Sequence, residues 1–369
     1  MPTPAPSTPA RGVPDLLPTY PLPSIPGGFE VAKDLREVAR LSGVSVSTAS
    51  RALSGSPLVS ATTRALVESV AAAIGYRPNA SARALRTGGS RLVGLVVTNL
   101  VNTSFRVIAE LLQQQLSAAG HHLVLCITGG DPEQEQEALR TLMELDASGV
   151  VAVGSNSGAF AEVRTRGIPV IHLGRRPSAP VGDCVLGDER GGARLAVELL
   201  LAQGHRRIAI ICGPSSVTSG RERLQGYRRA MAAAGRSVPD ELVVSGTFAA
   251  ETGRAAVDLL LSLPRTRRPT GLLVANHESA YGALPRLREL SLSVPADLSV
   301  ICYEDAPMMA GWWPAVTVVD NRPDEMAQLV GTLLLRRIGN GAADAGKPTV
   351  HRISTRLIER DSVGGRPPR

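Results

Sequence analysis

From Arg91 onward the chain alternates between short, continuous apolar runs and amphipathic segments. RLVGLVVTNL is followed by SFRVIAELLQQQLSAAG, and HHLVLCITGG by PEQEQEALRTLMELDASG. VVAVGS, IPVIHLG, RRIAIICG, LVVSG, GLLVAN and LSVICYED come next, with helical patterns around 191–203, 219–234, 251–262 and 279–290 among them. A short apolar run without polar alternation suits a strand covered on both faces, and such strands joined by helices form parallel sheets. The expected fold class is α/β, and the span is long enough for two doubly wound lobes. Ligands in such folds bind beyond the carboxyl ends of the strands. Those ends carry Thr98-Asn99, Ser155-Asn156, Asn276-His277 and Glu304-Asp305, which are expected to line a cleft between lobes.

The 369 residues suggest two or three domains. Aromatic residues make up only 3% of the chain, so its cores are expected to be built from Leu, Val, Ala and Ile. No apolar run reaches the ~20 residues of a membrane span. With no basic-then-apolar pattern at the start, a cytoplasmic address is expected and no membrane partner. Cys126, Cys184, Cys212 and Cys302 lack C-x-x-C spacing and are expected to be reduced, most of them within apolar strands. GxGxxG and GxxxxGK[ST] are absent, and no metal-spaced His pair occurs, so no cofactor or metal is expected.

A different module precedes the alternating region. Asp34 and Glu37 have capping-box spacing ahead of an apolar face of Leu35, Val38, Ala39 and Leu41. Gly43 is expected to end that helix. Ser45 can cap a second helix that turns Ala49 and Leu53 inward. A third pattern begins at Ser60 or Ala61, with Leu66, Val70 and Ala73 as its expected inner face and Gly75 as its stop. This is the layout of a helix-turn-helix headpiece over 31–78. NASARALR, 79–86, reads as a short hinge helix and TGGS as a linker ending at 90. Residues 1–30 are Pro-rich and read as a disordered tail. Residues 31–91 hold nine Lys/Arg and three acids, so this segment carries +6 of the chain's +7. A basic module on a near-neutral body fits phosphate neutralisation by one part of the protein.

Three stretches give the chain a family likeness. EVARLSGVSVSTASRALSGSPLVSATTRALVESVAAAIGYRPNASARALRTG, GHRRIAIICGPSSVTSGRERLQGYRRAM and STRLIERDSVG together make it resemble the LacI/GalR family of transcription regulators over roughly 33–363. The resemblance implies a helix-turn-helix headpiece and hinge helix joined to a two-lobed, periplasmic-binding-protein-like core. Its first lobe would hold about 91–189 and 320–347, and its second about 190–319 and 348–363. It further implies a homodimeric repressor on a near-palindromic double-stranded operator. A small-molecule effector, a sugar or related metabolite, would control it.

By the family pattern the recognition helix starts at Ser45. Val46 and Ser47 face bases, Arg51 reaches guanine or phosphate, and Thr48 and Ser50 suit phosphate or capping. In the hinge, Asn79 would cap, Arg83 would reach phosphate, and Leu85 would wedge between base steps in the minor groove. Arg223 matches the family arginine that projects into the cleft, and Asn276 matches a ligand amide. Glu304 stands where the family usually has Asp, and His277 where Asp usually follows the Asn. Asn102 and Phe105 follow the first strand, and Phe105 and Trp313 could stack on a ring. Asp188 sits near the first crossover, either facing ligand or capping. The alternatives are an activator or dual regulator of the same family, a solute-binding protein, and an α/β enzyme with a DNA-targeting domain. A solute-binding protein predicts a signal peptide and no headpiece. The enzyme lacks a nucleophile elbow, paired catalytic carboxylates or a metal set, and a non-enzymatic role is expected.

Overall fold

The computed structural model describes residues 34–76, 90–154, 158–341 and 347–365. The tail at 1–30, hinge residues Asn79, Arg83 and Leu85, and the Ser155-Asn156 pair lie outside the described residues. The chain forms two compact units, Met1–Asn79 and Ala80–Arg369.

The first unit holds helices α1 (Leu35–Leu41), α2 (Val46–Leu53) and α3 (Ala61–Ala73). Helices of seven and eight residues are marginal alone, so caps and mutual packing must hold them. Asp34 Oδ1 accepts from Glu37 N at 3.0 Å, Ser45 Oγ from Thr48 N at 3.1 Å, and Ser60 Oγ from Thr63 N at 3.2 Å. Gly43 adopts φ +63° between α1 and α2, a conformation that costs glycine no Cβ clash. Val38, Ala39, Ala49, Ala52, Val59, Val67 and Ala71 form the small core. The inner face of α3 is thus Val67 and Ala71, with Val70 half-buried, while the expected Leu66 and Ala73 are exposed. Leu41 is exposed too. In an Ala-rich helix several phases of the apolar stripe score alike, and packing against α2 selects among them.

The second unit contains two six-stranded sheets. The first uses β1 (Leu92–Val97), β2 (His122–Ile127), β3 (Gly149–Ala152), β4 (Val170–Leu173), β5 (Asp183–Gly187) and β11 (Val350–Ile353). Their order is β11-β5-β4-β3-β1-β2, and every pairing is parallel. Helices α4 (Thr103–Ala118) and α12 (Pro323–Asn340) cover one face. Helices α5 (Pro132–Glu144) and α6 (Ala159–Thr165) cover the other.

The second sheet uses β6 (Ile208–Cys212), β7 (Val243–Ser245), β8 (Gly271–Val274), β9 (Ser299–Tyr303), β10 (Thr317–Asp320) and β12 (Arg356–Ile358). Its order is β12-β10-β9-β8-β6-β7, with only β12 antiparallel. Helices α7 (Glu189–Ala202) and α8 (Thr218–Ala233) lie on one face, and α9 (Ala250–Ser262) and α10 (His277–Glu289) on the other. The short α11 (Pro307–Gly311) follows β9.

The chain passes between sheets three times: from β5 to α7, from β10 to α12, and from β11 to β12. This corrects the expectation that 348–363 belongs wholly to the second lobe, because β11 hydrogen-bonds to β5 of the first sheet. VHRI is an edge strand with alternating exposure, and its pattern fits the rim of either sheet. Helices α7 and α8 approach closely at Gly226, where a Cβ would stand 2.4 Å from the carbonyl oxygen of Arg190. That contact sets the first turn of α7 beside the middle of α8.

All four cysteines are free; Cys184, Cys212 and Cys302 are buried and Cys126 is half-buried. Among the described residues no helix is long and apolar enough to cross a membrane.

Candidate functional site

In α2 the capping hydroxyl of Ser45 is engaged with Thr48 N and lies 2.9 Å from Ser47 Oγ. Val46 is 45% exposed, and Ser47 and Arg51 are exposed with it. Thr48 and Ser50 are half-buried. The helix thus turns Ala49 and Ala52 inward and leaves an apolar methyl pair, a hydroxyl and a guanidinium outward. Arg40 on α1 is already held by Glu37 at 2.6 Å.

In the second unit a cavity of about 400 Å³ opens at the carboxyl ends of the two sheets. Asn99, Asn102, Phe105 and Arg175 line its first-lobe wall. Arg223, Phe248, Asn276, Glu278 and Glu304 line the second, and Glu189 and Asn321 stand at the crossovers. Arg223, on the second turn of α8, lies at the centre of a buried ionic cluster. Its Nε donates to Glu189 Oε2 at 2.6 Å and its Nη1 to the Ala275 carbonyl at 2.5 Å. Its Nη2 is 3.5 Å from Glu304 Oε1, and the guanidinium lies 4.1 Å over the Tyr303 ring. The Tyr303 hydroxyl donates to the Glu189 carbonyl at 2.7 Å, bracing the same corner. Burial alone would lower the basicity of Arg223; Glu189 and Glu304 raise it instead.

Glu304 follows β9 with φ +71°, a left-handed backbone that glutamate adopts only at a cost of about 1–3 kcal/mol. Its amide donates to the Val319 carbonyl at 2.7 Å, which fixes the turn. The turn aims the carboxylate at His277, whose Nδ1 lies 2.5 Å from Glu304 Oε2, while Asn102 Nδ2 donates weakly to the same oxygen at 3.5 Å. Burial would push the Glu304 carboxyl up, but His277 and Arg223 pull it down to about 2. Glu278 moves the other way: burial and the nearby Glu304 charge raise it.

Two buried polar atoms at the cavity wall have no hydrogen-bond partner among the described residues: Asn276 Nδ2, a donor, and Asn321 Oδ1, an acceptor. An unpaired buried amide atom costs about 1–3 kcal/mol, so such a pair favours a ligand that offers one acceptor and one donor. Phe105 and Phe248 supply flat apolar surface in the same cavity.

The structure therefore gathers Asn102, Phe105, Arg223, Asn276 and Glu304 around one cavity. It does not bring Asp188 or Trp313 there. Asp188 Oδ1 caps α7 by accepting from Gly191 N at 3.0 Å, which leaves the next residue, Glu189, to face the cavity. Trp313 is 90% exposed and lies outside the cavity lining, in the segment that leads away from α11 into the start of β10. Sequence reasoning missed Glu189, Glu278, Asn321 and Phe248. The first three each stand one to four residues beyond a strand's carboxyl end, the position that the fold class marks for ligand contact.

Comparison with known proteins agrees with both parts. Residues 34–79 match the model of bacterial regulatory proteins, lacI family, and residues 197–363 match a periplasmic binding protein-like domain. The ribose operon repressor of Escherichia coli (strain K12) is 32% identical over 307 residues, 82% of this chain and 92% of that protein. The HTH-type transcriptional repressor PurR of Vibrio cholerae (strain M66-2) is 28% identical over 332 residues, 89% and 97% of the two chains. Among solved structures, the Lac repressor dimer bound to operator and the anti-inducer ONPF superposes with TM-score 0.76 at 26% identity, covering 89% of this chain and 98% of that one. The transcriptional regulator CelR–cellobiose complex superposes with TM-score 0.68 at 29% identity, covering 90% and 100%. With an exposed recognition-type helix in one unit, a two-lobed cleft in the other and relatives matched along nearly their whole length, this chain belongs to the lacI family of bacterial regulatory proteins.

Proposed function

We propose that the protein is a cytoplasmic, non-enzymatic transcription repressor whose hold on a near-palindromic operator is set by a sugar or related metabolite in the interlobe cleft. The observation that carries the effector half is the orphaned donor–acceptor pair, Asn276 Nδ2 and Asn321 Oδ1, beside Phe105 and Phe248. Ring faces meet the aromatic side chains and ring hydroxyls meet the amides, much as in other polar-tipped apolar sites. Val46, Ser47 and Arg51 would read base edges, and Thr48 and Ser50 would touch backbone. Selection of bound sequences from random duplex DNA, followed by a thermal-shift screen with sugars and purines, tests the whole reading. A palindromic consensus, and a stabilising compound that shifts affinity for it, are expected. Failure to retain any duplex above the non-specific background would refute it.

The hinge deepens the reading. Leu85 would insert between base steps and bend the operator, with Arg83 on phosphate and Asn79 capping. Leu85→Ala is expected to reduce operator bending and to cost roughly tenfold or more in affinity, given the few kcal/mol at stake in unstacking and wrapping. Unchanged bending in a gel-phasing assay would remove Leu85 from this role.

Assembly as a homodimer is favoured by an unprotected edge. Strand β2 ends the first sheet, and Leu125 and Ile127 on it are exposed, Ile127 by 54%. Leu100 and Val101 in the loop after the neighbouring β1 are exposed as well. A bare apolar edge strand invites pairing and is normally covered. Ile127→Asp is expected to shift the protein toward monomer in sedimentation velocity and to weaken operator binding in parallel. A variant dimer as tight as wild type would place the interface elsewhere.

A further inference from the structure

One buried side chain touches both walls of the cleft at once. His277 is the first residue of α10 in the second lobe and is completely buried. On one side its Nδ1 meets Glu304 Oε2 at 2.5 Å. On the other its Nε2 meets the first lobe, 3.3 Å from the Val101 carbonyl and 3.4 Å from the Thr103 amide nitrogen at the start of α4. Asn102 of the same loop reaches Glu304 directly. We propose that His277 is a positioning residue that latches the lobes together through the effector-binding carboxylate of Glu304, and that its proton count sets the strength of the latch. The proposal rests on the cleft being the effector site.

The chemistry of the two partners carries the argument. A carboxylate and a backbone carbonyl can only accept, so satisfying both requires a hydrogen on each ring nitrogen, the imidazolium form. The neutral ring can still donate from Nδ1 to Glu304, but its Nε2 must then accept, and the acceptor's partner is Thr103 N–H. Losing one proton therefore exchanges a charge-assisted bond to Val101 for a neutral bond from Thr103, about half as strong.

The surroundings decide which form prevails. Burial disfavours the charged ring, but Glu304 at the end of β9 and Glu278 on α10 favour it, and the net direction is upward from the ordinary histidine range. Arg223 on α8 stands behind Glu304. Tyr281, one turn along α10, meets the ring edge-on at 5.3 Å between centroids. The first-lobe loop contributes Asn102 and backbone groups at this contact. The sign follows: the latch is strongest at low pH and weakens as pH rises through the raised value.

The test uses the full-length chain without any effector. Nitrogen-15 histidine NMR reads both ring nitrogens directly, and the His277 signals are those lost in His277→Gln. His277 is expected to carry a hydrogen on both ring nitrogens at the low end of the titration and to lose one at a pH above the ordinary histidine range. Hydrogen exchange at 99–105, corrected for intrinsic rate, should lose roughly tenfold protection across that titration in wild type. In His277→Gln, whose amide keeps one donor and one acceptor, the pH dependence should vanish. A neutral His277 throughout pH 6–9 would overturn the proposal, as would a protection profile that His277→Gln shares with wild type. If His277→Gln does not fold, the wild-type ring assigned through its own side-chain carbons decides alone. Because no effector enters, a failed metabolite screen leaves this result standing, and the reverse holds too.

Discussion

Arg223→Met is expected to destabilise the second unit by about 3–5 kcal/mol and to abolish effector binding. Arg223 is 3% exposed and holds two buried carboxylates, Glu189 at 2.6 Å and Glu304 at 3.5 Å. Removing the cation leaves both carboxylates without their shared counter-charge, and also frees the Ala275 carbonyl it satisfies. Deleting one partner of a buried ion pair is costly for this reason, even where the intact pair contributes little net stability. Urea unfolding should show the second-unit transition moved down, with the α1–α3 unit unmoved because its core is its own. Adding Glu189→Gln should recover part of the loss, since the neutral amide no longer needs the cation. A loss below 1 kcal/mol in the single variant would mean that the cluster is solvated in solution.

Arg51→Ala should have the largest effect on operator binding of any single change in α2. A bidentate arginine–guanine contact contributes about 1–3 kcal/mol, and a dimer uses it twice, so a loss between about 30-fold and 10⁴-fold is expected. The geometry favours Arg51 over Arg40, which already spends its guanidinium on Glu37. Two measurements separate base reading from phosphate contact. If Arg51 reads a base, the variant tolerates any base pair at one symmetric position and keeps its salt dependence. If it binds phosphate, the selectivity persists and the salt slope falls by about one per contact. An affinity within twofold of wild type would remove Arg51 from the interface.

Much of the fold was legible because strands covered on both faces leave continuous apolar runs such as LVGLVV and IAIIC. Edge positions were harder to read. VHRI has the mixed polarity of a rim strand and could join either sheet, and its true partner, β5, is more than 160 residues away in sequence. Arg223 and Asn276 were legible by pattern, because each stands in a stretch whose family likeness is strong. Asp188 and Glu189 differ only in which of two adjacent acids faces the cavity. That is settled by the helix start, where the shorter side chain folds back to cap and the longer reaches outward. Trp313 was misread because an aromatic beside proline suits a sugar platform in composition, while its place along the β9–β10 connection puts it away from the cleft. The left-handed turn at Glu304 has no sequence signal, since nothing marks a glutamate for positive φ.

The order of synthesis gives the three crossovers a further consequence. Each sheet acquires its last strand from the final stretch of chain, β11 at Val350–Ile353 and β12 at Arg356–Ile358. Neither lobe is a contiguous piece of polypeptide, so neither can close its sheet until nearly the whole chain has left the ribosome. The α1–α3 unit, in contrast, has its complete core by Ala71. During translation the DNA-reading helices can therefore settle first, well before a cleft exists to instruct them. A truncation between residues 90 and 350 would be expected to leave a folded α1–α3 unit without a complete cleft, a DNA-binding module cut off from its control.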